Sequence, residues 1–472
     1  RLHREIYRTQ GKLASRYELD PLGRLKRQIA ALNDLTQTET GKNTVASAYA
    51  VKRSYGYDRT GNLTHSTDQR MGTTRFEYDK LGRITKAGNE LFAFDSAHNI
   101  LSDDLNAVTD NRLKTYNGTT YYYDHFGNLI HRELADGEVQ NYFYDLHDQL
   151  VKAEIFKKDG SKETWAYTYD VLGRRIGKGR LKNEEVSEGL EEKTGFVWDG
   201  SHLLQEVQPD GRYTYLYTDP DSYEPLAQVH NHTNTEGENR QQILYFHCDQ
   251  IGIPREMTDK DGNLVWFGDY TGWGRLKEET KVTDSAYQPF RLQNQYADRE
   301  TGLHYNFFRY YEPDAGRFIN QDPIRLWGGD NFYWFAPNSS AWIDVLGLAS
   351  IFEKLKITTS DGFLFKGFTV KAPFNIPVQR FGDLHLNSRR GDFWGLRIGT
   401  NKFINRTFAA ILPSWNPLTN YNSGVIPKGT KMKVGIIGPQ GLKYPGGSLQ
   451  FIVHSEEVQK VKSKKIKRKG KC

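Results

Sequence analysis

Two aspartates, Asp322 and Asp344, lie 22 residues apart, each at the head of a short turn-forming stretch: Gln321-Asp322-Pro323-Ile324-Arg325-Leu326 and Asp344-Val345-Leu346-Gly347-Leu348. Two carboxylates held close together in a partly dry site cannot both ionise, so one keeps its proton. The charged member can then take a proton from water while the neutral member polarises a carbonyl. The plainer reading is that both aspartates shape turns, Asp322 ahead of a proline.

Residues 349–472 hold three further constellations. The first is Arg380-Phe381-Gly382, then Pro427-Lys428-Gly429-Thr430, then Pro445-Gly446-Gly447-Ser448-Leu449-Gln450, with Glu456 and Glu457 close behind. Gly446 and Gly447 allow backbone to lie against a ligand, although a glycine-rich turn between strands explains them as well. The second is a histidine pair, His385 and His454, able to act as base and acid on an RNA 2′-hydroxyl, with Arg389 and Arg390 to hold phosphate. The third is the lysine-rich stretch from Lys460 to Lys471, which by charge suits RNA or the ribosome and otherwise reads as a solvated end. No HNH, cysteine-cluster or carboxylate metal signature is present, so no metal is expected.

The elements that must position these residues follow from composition. At 472 residues the chain exceeds one compact core, and 44 Gly with 28 Tyr and 25 Phe suits short strands and tight turns. Cys248 and Cys472 cannot build a disulfide framework. There is no signal peptide and no apolar run of about 18 residues to span a membrane. The chain opens at Arg1, in mid-pattern, and reads as part of something longer. Of its 64 basic residues 22 lie in 349–472, against 6 of its 58 acidic ones, so that segment carries +16 and the remainder −10. Attraction across that division would favour enclosure of the basic part and weaken with salt.

Before the division an aromatic–x–aromatic–Asp core followed by Gly recurs: Tyr55–Asn62, Phe76–Arg83, Tyr121–Asn128 and Tyr167–Arg174, with degenerate copies at Phe92–Asn99, Phe143–Leu150 and Phe196–Leu203. Alternating aromatics place every second ring on one face of a strand. Asp and Gly close the strand into a hairpin, and Leu63, Ile84 or Leu129 opens the return strand. One such hairpin is marginal in water, so the units must stack into a long antiparallel sheet.

These units resemble the YD repeats of Rhs proteins over roughly residues 15–348, and the stretch Phe290 to Ile319 resembles the Rhs core-associated segment. The resemblance implies an all-β spiralled cocoon over 1–289, a core-associated segment with an aspartyl autoprotease motif over 290–348, and a small α+β toxin domain over 349–472. It also maps self-cleavage onto the Leu348–Ala349 bond, with Asp322 and Asp344 as the catalytic pair. Arg325 stands where that family usually has Gly, and Val345 where it has Pro.

In the last domain, strands are expected over 362–370, 393–398, 431–437 and 448–453, and helices over 401–411 and 456–462. Arg380 and the late Gly-Gly-x-x-Gln loosely resemble NAD-consuming toxins of the ADP-ribosyltransferase type. The implied roles are phosphate binding by Arg380 with Gly446 and Gly447, expulsion of nicotinamide by Gln450 or Glu456, and NAD as substrate. A ribonuclease using His385 and His454 is the alternative. The family further implies an immunity protein, a type VI secretion apparatus, a chaperone, and a path from the bacterial cytoplasm into a target cell. A non-enzymatic surface or adhesion module is the reading from another class.

Overall fold

The computed structural model describes residues 5–32, 49–102, 105–182, 189–220, 222–233, 236–283, 286–325, 329–348, 368–371, 375–381, 392–396, 420–436, 449–453 and 457–465. The chain divides into two compact units, Arg1–Glu353 and Lys354–Cys472.

In the first unit the repeated core closes into one recurring turn. At Asp170 the backbone N–H donates to the Arg174 carbonyl (2.9 Å), and the Gly173 N–H donates back to the Asp170 carbonyl (3.0 Å). Asp170 Oδ1 accepts from the backbone N–H groups of Leu172 (2.9 Å) and Arg174 (3.0 Å). Arg174 Nε donates to Asp170 Oδ2 at 2.7 Å, and Nη1 reaches the Gly200 carbonyl of the next hairpin at 3.1 Å. The same turn forms at Asp58 and Asp79, and also at Asp20, Asp249 and Asp259, where the sequence pattern is too worn to be read.

The second aromatic of each core has its own reason to be tyrosine. The hydroxyls of Tyr78, Tyr144 and Tyr169 donate to the carbonyls of Leu63 (2.8 Å), Leu129 (2.8 Å) and Leu150 (2.7 Å), each the residue that opens the return strand of a neighbouring hairpin. Tyr57, Tyr217 and Tyr270 repeat the stitch to Leu25, Leu203 and Pro254. Phenylalanine would keep the ring and lose a bond worth about 1 kcal/mol.

Stitched this way, the strands from Tyr7–Gln10 to Glu90–Leu91 form an eight-stranded sheet, and those from Thr115–Tyr116 to Leu276–Lys281 a fifteen-stranded sheet, both in chain order. The expected all-β shell is what forms. Its aromatic face closes on the segment after residue 286: Tyr215 meets Phe290 edge-on at 4.7 Å, Phe196 meets Tyr296 at 5.2 Å and Tyr123 meets Tyr333 at 5.7 Å between centroids. That segment contributes a four-stranded sheet, Tyr296–Ala297, His304–Asn306, Arg309–Glu312 and Arg317–Phe318, whose residues are all buried. It is therefore a core, and side chains held in it are held in low dielectric.

The second unit is a seven-stranded antiparallel sheet. In chain order its strands are Phe368–Lys371, Ile376–Phe381, Asp392–Leu396, Asn420–Ile426, Lys431–Ile436, Leu449–Val453 and Gln459–Lys465. Across the sheet they run first, fifth, sixth, third, second, fourth, seventh. Ile376, Val378, Ile426, Met432, Val453 and Val458 form its core. The helix expected over 456–462 is overturned: Gln459–Lys465 is a strand paired with Asn420–Ile426, because that edge offered a partner and Val461 packs against the core. The same pairing builds Lys460–Lys465 into the sheet, with Lys460 and Lys462 exposed, so this part of the lysine-rich stretch is not a loose end. The helix expected over 401–411 lies outside the described residues.

Candidate active site

Asp322 and Asp344 meet on one guanidinium. The strand Arg309–Glu312 delivers Arg309 between them, with Nη2 at 3.1 Å from Asp322 Oδ2 and 3.6 Å from Asp344 Oδ2. All three side chains are buried, at 1%, 4% and 3% exposure. The Arg309 plane lies on the Phe318 ring, 3.5 Å from its centroid, and its Nη1 donates to the Phe332 carbonyl at 3.0 Å. Arg309 is the candidate site residue that the sequence reading missed. The available signal was a lone cation in the aromatic block Phe307-Phe308-Arg309-Tyr310-Tyr311.

Both aspartates keep part of the repeat turn, and the Asp322 N–H donates to the Phe332 carbonyl (2.9 Å) instead of across the turn. Asp344 Oδ1 accepts from the backbone N–H groups of Leu346 (3.3 Å) and Leu348 (3.1 Å), the same +2 and +4 positions used by Asp170. Asp322 Oδ1 accepts from Ile324 N–H (3.0 Å), and Arg325 N–H donates to the Asp322 carbonyl (2.9 Å). Arg325 takes the place of the turn glycine and adopts its left-handed backbone, φ 52°. That accounts for the family's preference for Gly and makes Arg325 a strained substitute. Its side chain is exposed, away from the buried pair. Val345, in the place of Pro, is buried, and its carbonyl accepts from Asn294 Nδ2.

The electrostatics follow from burial around a single cation. Burial pushes the Asp322 carboxyl up to about 6, against the pull of Arg309 and with a further push from Asp344. Burial likewise raises Asp344, against Arg309 and the turn N–H groups. One guanidinium balances one negative charge, so burial favours the pair keeping a proton between them.

The segment Asp344–Leu348 is fixed from several sides. Arg309 Nε donates to the Gly347 carbonyl, Asn306 Nδ2 to the Asp344 carbonyl (2.8 Å), and Phe308 N–H to the Leu346 carbonyl (3.2 Å). Gly347 has φ 64°, and a Cβ there would lie 2.5 Å from the Asn306 carbonyl oxygen, so glycine is required. Leu348 thus hangs by its N–H from the carboxylate that would serve the reaction; Ala349 lies outside the described residues.

The second unit's candidates are less assembled. Gln450 pairs with Gly395 and Gly435, and Gly395 pairs with Gln379, so Gln450 shares its row with Gln379. Arg380 stands one row on, paired with Asn422, and neighbouring rows alternate faces. His385, Gly446, Gly447, His454 and Glu456 lie outside the described residues. Among the described residues no group of three or more His, Cys, Asp or Glu could hold a metal, and no helix is long and apolar enough to cross a membrane.

Known families match the first unit. The teneurin YD-shell family matches residues 12–222 and the RHS protein family residues 243–280. Double-stranded DNA deaminase toxin A of Burkholderia cenocepacia is 39% identical over 370 residues, covering 74% of this chain and 25% of its own length. The chain belongs to the Rhs family of YD-repeat proteins. Toxin protein Tse5 of Pseudomonas aeruginosa is 30% identical over 401 residues (72% of this chain, 29% of its own), and Probable deoxyribonuclease RhsA of Dickeya dadantii 29% over 375 residues (73% and 24%). This Rhs chain therefore spans about a quarter of the length of these relatives. The share of it that they cover is close to the 348 of 472 residues that precede Ala349.

Proposed function

We propose that this chain is the cleaving end of an Rhs effector: it cuts itself after Leu348 and yields the residues from Ala349 onward as a toxic enzyme. The observation that carries this reading is the buried Asp322–Arg309–Asp344 group, with Asp344 Oδ1 bound to the Leu348 N–H at 3.1 Å.

The charged member of the pair takes a proton from a water whose oxygen attacks the Leu348 carbonyl carbon. The protonated member gives its proton to the carbonyl oxygen. Collapse breaks the bond to nitrogen, a proton passes to the leaving Ala349 amine, and Leu348 is left as a carboxylate. Arg309 positions both carboxylates and, through the Gly347 carbonyl, the backbone beside the bond. The wild-type chain should separate under denaturation into fragments ending at Leu348 and beginning at Ala349, and Asp344→Asn should remain one polypeptide by intact mass. Cleavage of that variant at the same bond would end the two-carboxylate mechanism.

The relatives' names, a DNA deaminase toxin, a toxin protein and a probable deoxyribonuclease, support a toxic role for the C-terminal unit. Within that reading we take NAD as its substrate, with Arg380 and Gln450 in the roles their types suggest. The ladder sets a condition: adjacent rows require the two to act from different sides of the sheet. NAD content of cells making the unit without its immunity protein tests the substrate, and intact NAD beside fragmented RNA would replace it with His385–His454 ribonuclease chemistry. Delivery by a type VI apparatus into a target cell, with a chaperone and an immunity protein as partners, completes the proposal.

A further inference from the structure

The turn at Asp344 departs from the turn at Asp170 in where the carbonyl of its aspartate is held. The Asp170 carbonyl accepts from the Gly173 N–H at 3.0 Å. The Asp344 carbonyl accepts from Asn306 Nδ2 at 2.8 Å, and the Gly347 N–H is turned to the carboxyl beside those of Leu348 and Leu346. Burial raises the Asp344 carboxyl, and Arg309 and these three N–H groups oppose it. The charged groups that face it are Arg309 and Asp322.

Asn306 sits at the tip of a tight hairpin. It ends the strand His304–Asn306 and pairs with Arg309 of the next strand, with only Phe307 and Phe308 between them. Phe307 takes a left-handed backbone, φ 57°, and packs edge-on against Trp198 of the fifteen-stranded sheet at 5.7 Å. Anchored there, the tip holds the carbonyls of Asp344, Leu346 and Gly347 through Asn306 Nδ2, Phe308 N–H and Arg309 Nε. The Asn306 side chain is fully buried, and its Oδ1 has no hydrogen-bond partner among the described residues. A leucine of similar size would fill the space without burying an unpartnered acceptor, so packing does not account for an amide here. What the amide alone supplies is a donor to the Asp344 carbonyl, which keeps that carbonyl from recapturing the Gly347 N–H.

We propose that Asn306 is a positioning residue for self-cleavage: by holding the Asp344 carbonyl it keeps the turn open and its N–H groups on the carboxyl. The proposal rests on the cleavage reading and adds a residue that acts through Asp344. Without that donor the turn closes as at Asp170, the carboxyl loses an N–H that favours its charged form, and the shared proton is kept to a higher pH. Uncleaved full chain recovered in denaturant is refolded at set pH, and cleavage at Leu348–Ala349 is followed by intact mass. Asn306→Leu should cleave about tenfold more slowly at its optimum, with the falling limb of its pH profile about one unit above the wild type's. Asn306→Asp can donate to the carbonyl only while protonated. Its rate should therefore fall about a hundredfold per pH unit on that limb, where the wild type falls about tenfold. This variant decides the matter if Asn306→Leu fails to fold. Asn338 is the structural control, buried likewise with Nδ2 on the Gly82 carbonyl at 2.9 Å, and Asn338→Leu should leave the limb in place. Wild-type rate and limb in the Asn306 variants, or slower cleavage with an unmoved limb, would overturn the inference and leave the two-carboxylate reading standing. Cleavage in Asp344→Asn, or none in the wild type, would bring down that reading and the inference with it.

Discussion

The tetrapeptide Asp-Val-Leu-Gly occurs twice in this chain, at Asp170–Gly173 and at Asp344–Gly347, and in both the aspartate Oδ1 accepts from the N–H groups at +2 and +4. What differs is the next residue. After the first comes Arg174, whose guanidinium closes on Asp170 Oδ2 at 2.7 Å. Burial acts to raise that carboxyl, but the Arg174 N–H and side chain outweigh it and hold it below its ordinary range. After the second comes Leu348, which brings no charge. Asp344 is buried with its second oxygen turned to Arg309, a cation it shares with Asp322, and its carboxyl is raised instead. The lesson is that a structural turn becomes a candidate catalytic one by losing its private cation and entering a dry core.

The largest expected effect comes from removing the shared cation. Arg309→Met leaves two buried carboxylates with nothing to balance either, so both hold protons and no base remains. Cleavage should fall at least a hundredfold by intact mass over time. Breaking a buried ion group of this kind costs about 3–5 kcal/mol, to be read as a lowered denaturation midpoint. Arg174→Met, in the structural turn, should cost only about 1 kcal/mol and leave cleavage untouched. If the two variants behave alike, the contrast between the turns is empty.

Acidity sharpens the same comparison. With Asp322 raised to about 6, the pair loses its shared proton as the pH rises through that value. Chain refolded from denaturant at set pH should cleave about tenfold more slowly for each unit above 6, because the protonated fraction falls in that proportion. The linked stability has a definite sign. The folded state keeps the proton to a higher pH than the unfolded chain, so this group's contribution declines as the pH rises from about 4 to about 6. Asp170, lowered by its own arginine, contributes the reverse, with stability lost as the pH falls through its folded value. A cleavage rate flat from pH 6 to 8 would remove the shared proton from the mechanism.

The glycines of the two turns should also part company. At Gly347 a Cβ meets the Asn306 carbonyl oxygen at 2.5 Å, a backbone atom that cannot give way, on top of a left-handed φ of 64°. At Gly173 the nearest atoms are side-chain ends, Phe308 Cε1 at 3.1 Å and Gln149 Nε2 at 3.2 Å. Gly347→Ala should therefore cost about 2–3 kcal/mol and slow cleavage, and Gly173→Ala about 1 kcal/mol with cleavage unchanged.

These contrasts show what was legible in the sequence. The turn is local chemistry, Asp with Gly three residues later, so the repeats, the all-β shell and the two candidate aspartates could be read directly. Leu348 and Leu326 in place of Arg or Asn were equally visible, and their meaning depends on what packs nearby. Arg309 could not be assigned, because its meeting with Asp322 and Asp344 is made by tertiary packing across 13 and 35 residues of chain. In the second unit, Glu456-Glu457-Val458-Gln459-Lys460 favours helix by residue type, and pairing with Asn420–Ile426 overrode that preference. Pairing of distant short strands is also why Arg380 and Gln450, apt by type, proved to stand in different rows.

The smallest expected effect concerns the one irregular turn of the pair. Arg325 occupies the glycine position of the Asp322 turn at φ 52°, a conformation that costs a side-chain-bearing residue about 1–2 kcal/mol. Its side chain is exposed, so removing it forfeits little packing. Arg325→Gly relieves the strain but admits a more flexible unfolded chain, which returns about 0.5–1 kcal/mol of the gain. The net should be a stabilisation of under about 1 kcal/mol, seen as a rise of a few degrees or less in Tm. Cleavage should quicken modestly, since the Asp322 carboxyl is held by Ile324 N–H within this same turn. A slower reaction in Arg325→Gly would instead mean that the guanidinium acts on Asp322 from its exposed position. The turn would then have gained a second cation in place of the one that the Asp344 turn has lost.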